Sequence, residues 1–144
     1  MEKANTSNIN SLELGFTDQF LNHALTPQNL GILSNPDGRG VPRGSCGDTI
    51  ELCLQLKDNR ITKCVFMTDG CAHTIACGSA ITTLAKDKII TEALKINAQD
   101  VSDALGGLPP EHMHCARLAV TSLRLAIKDY IKNKDASWKK HYRR

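Results

Sequence analysis

Between residues 49 and 67 the chain alternates. Ile50, Leu52, Leu54 and Leu56 are separated by Glu51, Cys53 and Gln55, the period of two expected of a strand with one buried face over residues 49–56. Lys57-Asp58-Asn59-Arg60 supplies a four-residue polar turn, and the β-branched and aromatic run 61–67 returns as the antiparallel partner. The pattern predicts a hairpin. Elsewhere the period lengthens. Leu12, Phe16, Phe20 and Leu21 fall at helical spacing and predict a short amphipathic helix through about His23. Residues 73–86, rich in Ala76, Gly78, Ser79 and Ala80, predict a buried helix suited to close packing. Two short helices follow over 88–95 and 98–105, the second capped by Asn97 and ended by Gly106-Gly107. Pro109-Pro110 form a rigid elbow, and Glu111 opens a final helix expected to end at Asn133. Leu118, Ala119, Leu125, Ala126, Ile127 and Tyr130 are its apolar stripe.

The remaining stretches lack a period. Residues 25–44 are broken by Pro27, Gly31, Pro36, Gly38, Gly40 and Pro42 and read as loop, with a short edge strand over 40–43. Residues 1–10 are polar and expected to be flexible. Residues 134–144 form a basic tail interleaved with Trp138 and Tyr142, read as a solvated, frayed end rather than a surface for an acidic partner or nucleic acid. No repeat or linker divides the chain. The expectation is one α+β domain over 1–144, a small antiparallel sheet with helices packed on one face.

Composition narrows the class. Aromatic residues make up only 4% of the 144 positions, so Leu, Ile, Val and Ala must fill the core. A formal charge of +3 is too mild to argue for nucleic acid. No stretch approaches the roughly 20 apolar residues of a membrane helix, and Met1-Glu2-Lys3-Ala4-Asn5 begins no secretory signal. The expected setting is therefore cytoplasmic and reducing. There, six cysteines point to metal or reactive-thiol chemistry rather than to a disulfide framework.

Three of them stand apart. Cys46, Cys71 and Cys115 each follow a turn and sit at an element boundary; Asp48 lies two residues after the first, and His114 just before the last. Thiolates are soft ligands and a carboxylate a hard one, a mixture that suits iron or zinc better than calcium or magnesium. The three are too far apart for a zinc-finger knuckle and would have to be gathered by the tertiary fold. Helix starts at Cys71 and Cys115 would favour thiolate through the helix dipole. The other candidates have plainer explanations. Cys53 and Cys64 share the hairpin, at positions that could face each other, and read as filler before ligand or disulfide. His73 and Cys77 would share a helix face, where packing outweighs a metal role. His112 fits either an exposed or a functional role.

In these motifs the chain resembles the iron–sulfur cluster assembly scaffolds of the IscU and NifU N-terminal type. The matching pieces are Gly44-Ser45-Cys46-Gly47-Asp48, Asp69-Gly70-Cys71 before a small-residue helix, and Leu108-Pro109-Pro110 leading to His114-Cys115 and Leu118-Ala119. Ala126-Ile127-Lys128-Asp129-Tyr130 and Pro27-Gln28-Asn29-Leu30-Gly31 add to them, in the family's order, over residues 17–132.

The resemblance implies a scaffold, not an enzyme, on which a [2Fe-2S] cluster is built and passed to apo-proteins. A cysteine desulfurase would supply sulfur, and a ferredoxin or frataxin-like protein electrons or iron. By motif, Cys46, Asp48, Cys71 and Cys115 would hold the cluster, His114 would be an alternative ligand, and Cys115 the persulfide acceptor. Zinc could occupy the same site in protein as purified. Two departures matter. Glu111-His112 replaces the Val-Lys that a dedicated Hsp70 chaperone recognises, which argues against that partner. The long insertion between the second and third cysteines of a zinc-holding sulfur-relay subclass is missing, which favours scaffold over relay. A closed structural zinc module is the third reading.

Overall fold

The hairpin forms as the alternation requires. The protein is described by a computed structural model over residues 16–42 and 48–142, with side chains described as far as Lys134. Strand β2 (Ile50–Lys57) pairs antiparallel with β3 (Arg60–Thr68). The turn is tighter than expected. Lys57 already pairs with Arg60, leaving a two-residue loop in which Asp58 and Asn59 have φ of 55° and 64°. Two left-handed residues in succession make the type I′ geometry whose twist matches the strands it joins.

Strand β1 (Gly38–Gly40) pairs with the far side of β2, giving the order β1-β2-β3. The edge strand expected at 40–43 thus lies earlier, for a packing reason. A Cβ at Gly40 would fall 2.4 Å from the Ser122 carbonyl oxygen, so this strand rests on the backbone of the last helix and needs glycine there. The outer edge of β3 is covered as well. Phe66 exchanges backbone hydrogen bonds with Asn29 and Gly31 at 3.0 and 2.8 Å, and Arg60 bridges to Ile89.

Helix α1 (Asp18–Leu25) starts later than the spacing suggested. Phe16 and Thr17 lie outside it, residues 12–15 fall outside the described residues, and Thr17 accepts the Phe20 N–H at 2.9 Å as its cap. Helix α2 (Ala72–Ala85) is buried almost all round, as its small residues allow. Helices α3 (Ile90–Ala93) and α4 (Ala98–Ala104) follow. Asn97 and Asp100 close a reciprocal capping box on α4, each accepting the other's backbone N–H at 2.9 Å. Asn97→Ala should therefore lower stability by about 1 kcal/mol, and Asn97→Asp should largely restore it, both read as shifts of the urea midpoint.

The proline elbow yields a 3-10 turn, Pro110–His112, before helix α5 (Met113–Tyr142) begins, two residues later than expected. Helix α5 also passes Asn133. No Gly or Pro interrupts 134–142, and the backbone of the expected frayed tail is helical through Tyr142. No helix among the described residues is long and apolar enough to cross a membrane.

The core lies between one sheet face and the helices. Ile50, Leu52 and Leu54 of β2, with Ile61 and Phe66 of β3, meet Ile81 of α2, Val101 of α4, and Leu123 and Ile127 of α5, all fully buried. Cys53 and Cys64 are not face to face. Cys53 pairs with Val65 and Cys64 with Leu54, which puts the two thiols on opposite sides of the sheet. Both are buried, and burial pushes both thiols up.

Candidate functional site

Asp48, Cys71 and Cys115 come together at the end of the sheet where β2 begins and β3 ends. The exit from β3 is fixed by Thr68, whose hydroxyl donates to the Thr49 carbonyl at 2.5 Å and accepts the Gly70 N–H at 3.1 Å. That turn delivers Cys71 as the N-cap residue of α2. Cys115 arrives from the other direction, on the first turn of α5 just beyond the proline elbow.

What joins them is Thr74, one turn into α2 and fully buried. Its hydroxyl donates to Asp48 Oδ2 at 2.9 Å and lies 3.7 Å from both Cys71 Sγ and Cys115 Sγ. Gly70 makes room for it, since a Cβ at that position would fall 2.7 Å from Thr74 Cβ. Sequence reasoning passed Thr74 over. The available signal was a hydroxyl three residues after a candidate thiol, in the first turn of a helix.

The two thiols about Thr74 differ in access. Cys71 is exposed, whereas Cys115 keeps 1% of its surface. Partial burial pushes the Cys71 thiol up, but the Thr74 amide and hydroxyl and the His73 amide favour the thiolate and outweigh it, and Asp48 opposes them weakly. The net shift is downward, toward thiolate. His114 also has a defined orientation. Its Nδ1 lies 3.1 Å from the Glu111 carbonyl, which can only accept, so Nδ1 carries the proton. In the neutral ring Nε2 then keeps the lone pair, 3.5 Å from Cys115 Sγ, the tautomer a metal ligand needs.

His73 and Cys77 have packing surroundings, as expected. His73 stacks on His112 with ring centroids 3.5 Å apart and planes within 6°, and its other neighbours are Phe20 at 4.9 Å and Phe16 at 6.0 Å. Burial lowers its pKa first, and the neighbouring His112 adds to the shift. Cys77 is fully buried, with its thiol pushed up by desolvation, so packing describes it. His112 therefore belongs to an aromatic column that ties the elbow to α1. Cys46 lies outside the described residues. Among the described residues, no three His, Cys, Asp or Glu side chains form a ready-made metal cage.

Comparison with known proteins gives a consistent answer. The family model described as NifU-like N terminal domain matches residues 15–137. An iron-sulfur cluster assembly scaffold protein, IscU 1 of Archaeoglobus fulgidus, is 45% identical over 118 residues, covering 81% of this chain and 77% of that protein. Its counterpart IscU of Aquifex aeolicus is 36% identical over 119 residues, with 81% and 76% covered. In fold, the crystal structure of a NifU-like N-terminal protein from Brucella abortus superposes with a TM-score of 0.63 at 16% identity, covering 81% of this chain and 94% of that one.

Proposed function

This chain belongs to the NifU-like N-terminal domain family, and we propose that it is a scaffold for iron–sulfur cluster assembly. The cluster is its cargo, a [2Fe-2S] unit built from desulfurase-derived sulfur and iron and then transferred to apo-proteins. The observation that carries this reading is the gathering of Asp48, Cys71 and Cys115 about one buried hydroxyl, from three segments far apart in sequence. Cys46, Asp48, Cys71 and Cys115 are the proposed ligands, and His114 Nε2 the alternative. Cys115 is the proposed persulfide acceptor. It is buried, so its cover must move aside to admit sulfur, while Cys71 already stands open. Residues 1–144 act as one scaffold domain in this reading.

The partners follow from the chemistry. A pyridoxal-phosphate desulfurase supplies sulfur, a ferredoxin or frataxin-like protein electrons or iron, and apo-proteins take the product. An Hsp70 chaperone is not placed among them in this reading, because Glu111-His112 stands where Val-Lys would be recognised.

A donor must let go. A carboxylate binds cluster iron less firmly than a thiolate, so Cys₃Asp should release cargo more readily than Cys₄. Asp48→Cys should accordingly hold its cluster several-fold longer, followed as the decay of visible absorbance; faster loss would refute the role given to Asp48.

The proposal is tested by anaerobic reconstitution with iron, cysteine and a cysteine desulfurase. Red-brown bands that vanish in Cys46→Ser, with transfer of the cluster to an apo-ferredoxin, are the expected result. A colourless protein that keeps zinc and accelerates the desulfurase would instead make it a sulfur relay.

A further inference from the structure

We propose that Thr74 is a positioning residue that takes Asp48 back from bound metal, so that the ligand set opens on this side. The inference rests on Asp48 being a ligand and goes beyond that assignment to how the ligand leaves.

A hydroxyl has one proton to give and two lone pairs that accept. Thr74 gives its proton to Asp48 Oδ2, and both cysteine sulfurs lie 3.7 Å from its oxygen. Cysteine binds metal as the thiolate. The hydroxyl then faces a carboxylate and two thiolates with a single proton among three acceptors.

Its choice depends on Asp48. While the carboxylate is on the metal, the O–H turns to sulfur. When the carboxylate lets go, the O–H swings back and satisfies it, so a half-buried anion is never left without a donor. Departure of Asp48 is thereby made easy.

Only the proton can move. Thr74 is fully buried, and its Cβ, Oγ1 and Cγ2 are all packed so closely on Gly70 that a Cβ there would lie within 2.9 Å of each. The oxygen stays where the three partners converge, and the methyl group keeps it from turning away.

The test follows transfer of zinc from the loaded protein to a colorimetric chelator. Thr74→Val keeps the shape and removes the O–H, and should slow release about tenfold, as expected for losing a hydrogen bond to a charged group. Thr74→Ser should restore the wild-type rate. In an Asp48→Ala background Thr74→Val should lose most of its effect, since only the bond to sulfur is left to remove. Tenfold slowing that persists there would show that Thr74 does not act through Asp48 and would overturn the proposal, as would unchanged or faster release in Thr74→Val alone. Should Asp48→Ala itself leave release unchanged, Asp48 is no ligand, and the ligand set proposed above fails with it.

Discussion

Removing the Phe66 ring should cost the fold about 4 kcal/mol, a large part of the stability of a domain this size. The ring is fully buried near the end of β3 and meets α2 where that helix has Gly78. The strand itself would survive Phe66→Ala, because its bonds to Asn29 and Gly31 are made by the backbone. The loss is therefore the ring's transfer energy and the cavity left behind. The contact with Gly78 supplies a sharper form of the prediction. A Cβ at Gly78 would lie 2.5 Å from the ring carbons, so Gly78→Ala in the wild-type protein should destabilise by about 1–3 kcal/mol through overpacking. In the Phe66→Ala variant that collision is gone, while alanine still gains about 1 kcal/mol over glycine in a helix. The same substitution should then stabilise. Urea melts of the four proteins would show the reversal of sign; a glycine that was costly to replace in both backgrounds would contradict the packing described.

Cys115→Ser should leave a folded protein that neither keeps a cluster nor carries persulfide. Serine fits the buried space, and its hydroxyl can bond to Thr74 and His114, the neighbours the sulfur now has. Loss of function would not then be loss of fold, and a melting curve close to wild type would establish that. Cys71→Ser should behave differently, losing the cluster but still accepting sulfur on Cys115. The two readouts are visible absorbance after reconstitution and the persulfide mass shift after exposure to a desulfurase. Persulfide retained by Cys115→Ser and lost from Cys71→Ser would move the acceptor to Cys71, the exposed thiol whose surroundings favour the thiolate.

The sheet was legible because alternation and a turn sequence are local signals. The relation of Cys53 to Cys64 shows where such signals end. Continuing the register set by Lys57 and Arg60 would bring those two cysteines opposite each other. Thr62 intrudes as an extra residue, with its hydroxyl on the Gln55 carbonyl at 3.0 Å, and the ladder steps from Leu56–Ile61 to Gln55–Lys63. One bulge sends the thiols to opposite faces, and nothing in the local pattern announces it. Asp48, Cys71, His114 and Cys115 were readable as motifs, each at the boundary of an element. Thr74 was not, since a threonine inside a helix looks like packing until its distances to three other side chains are known. The 3-10 turn before α5 and the stacking of His73 on His112 depend likewise on tertiary contact rather than on sequence period.

The glycine strand that rests on α5 also bears on the order in which the molecule is made. Gly38 and Gly40 leave the ribosome early, whereas the Ser122 and Ala126 carbonyls they lie against are among the later parts of the chain. The hairpin and α2 can form in the meantime from contacts close in sequence, but the sheet has no backing on its β1 side until α5 docks. Cys115 rides on that same helix. A nascent chain therefore displays Cys71 well before it owns Cys115, and the step that closes the fold is also the step that would complete the proposed ligand set. On the proposed ligand set, a chain can be loaded only once α5 has docked.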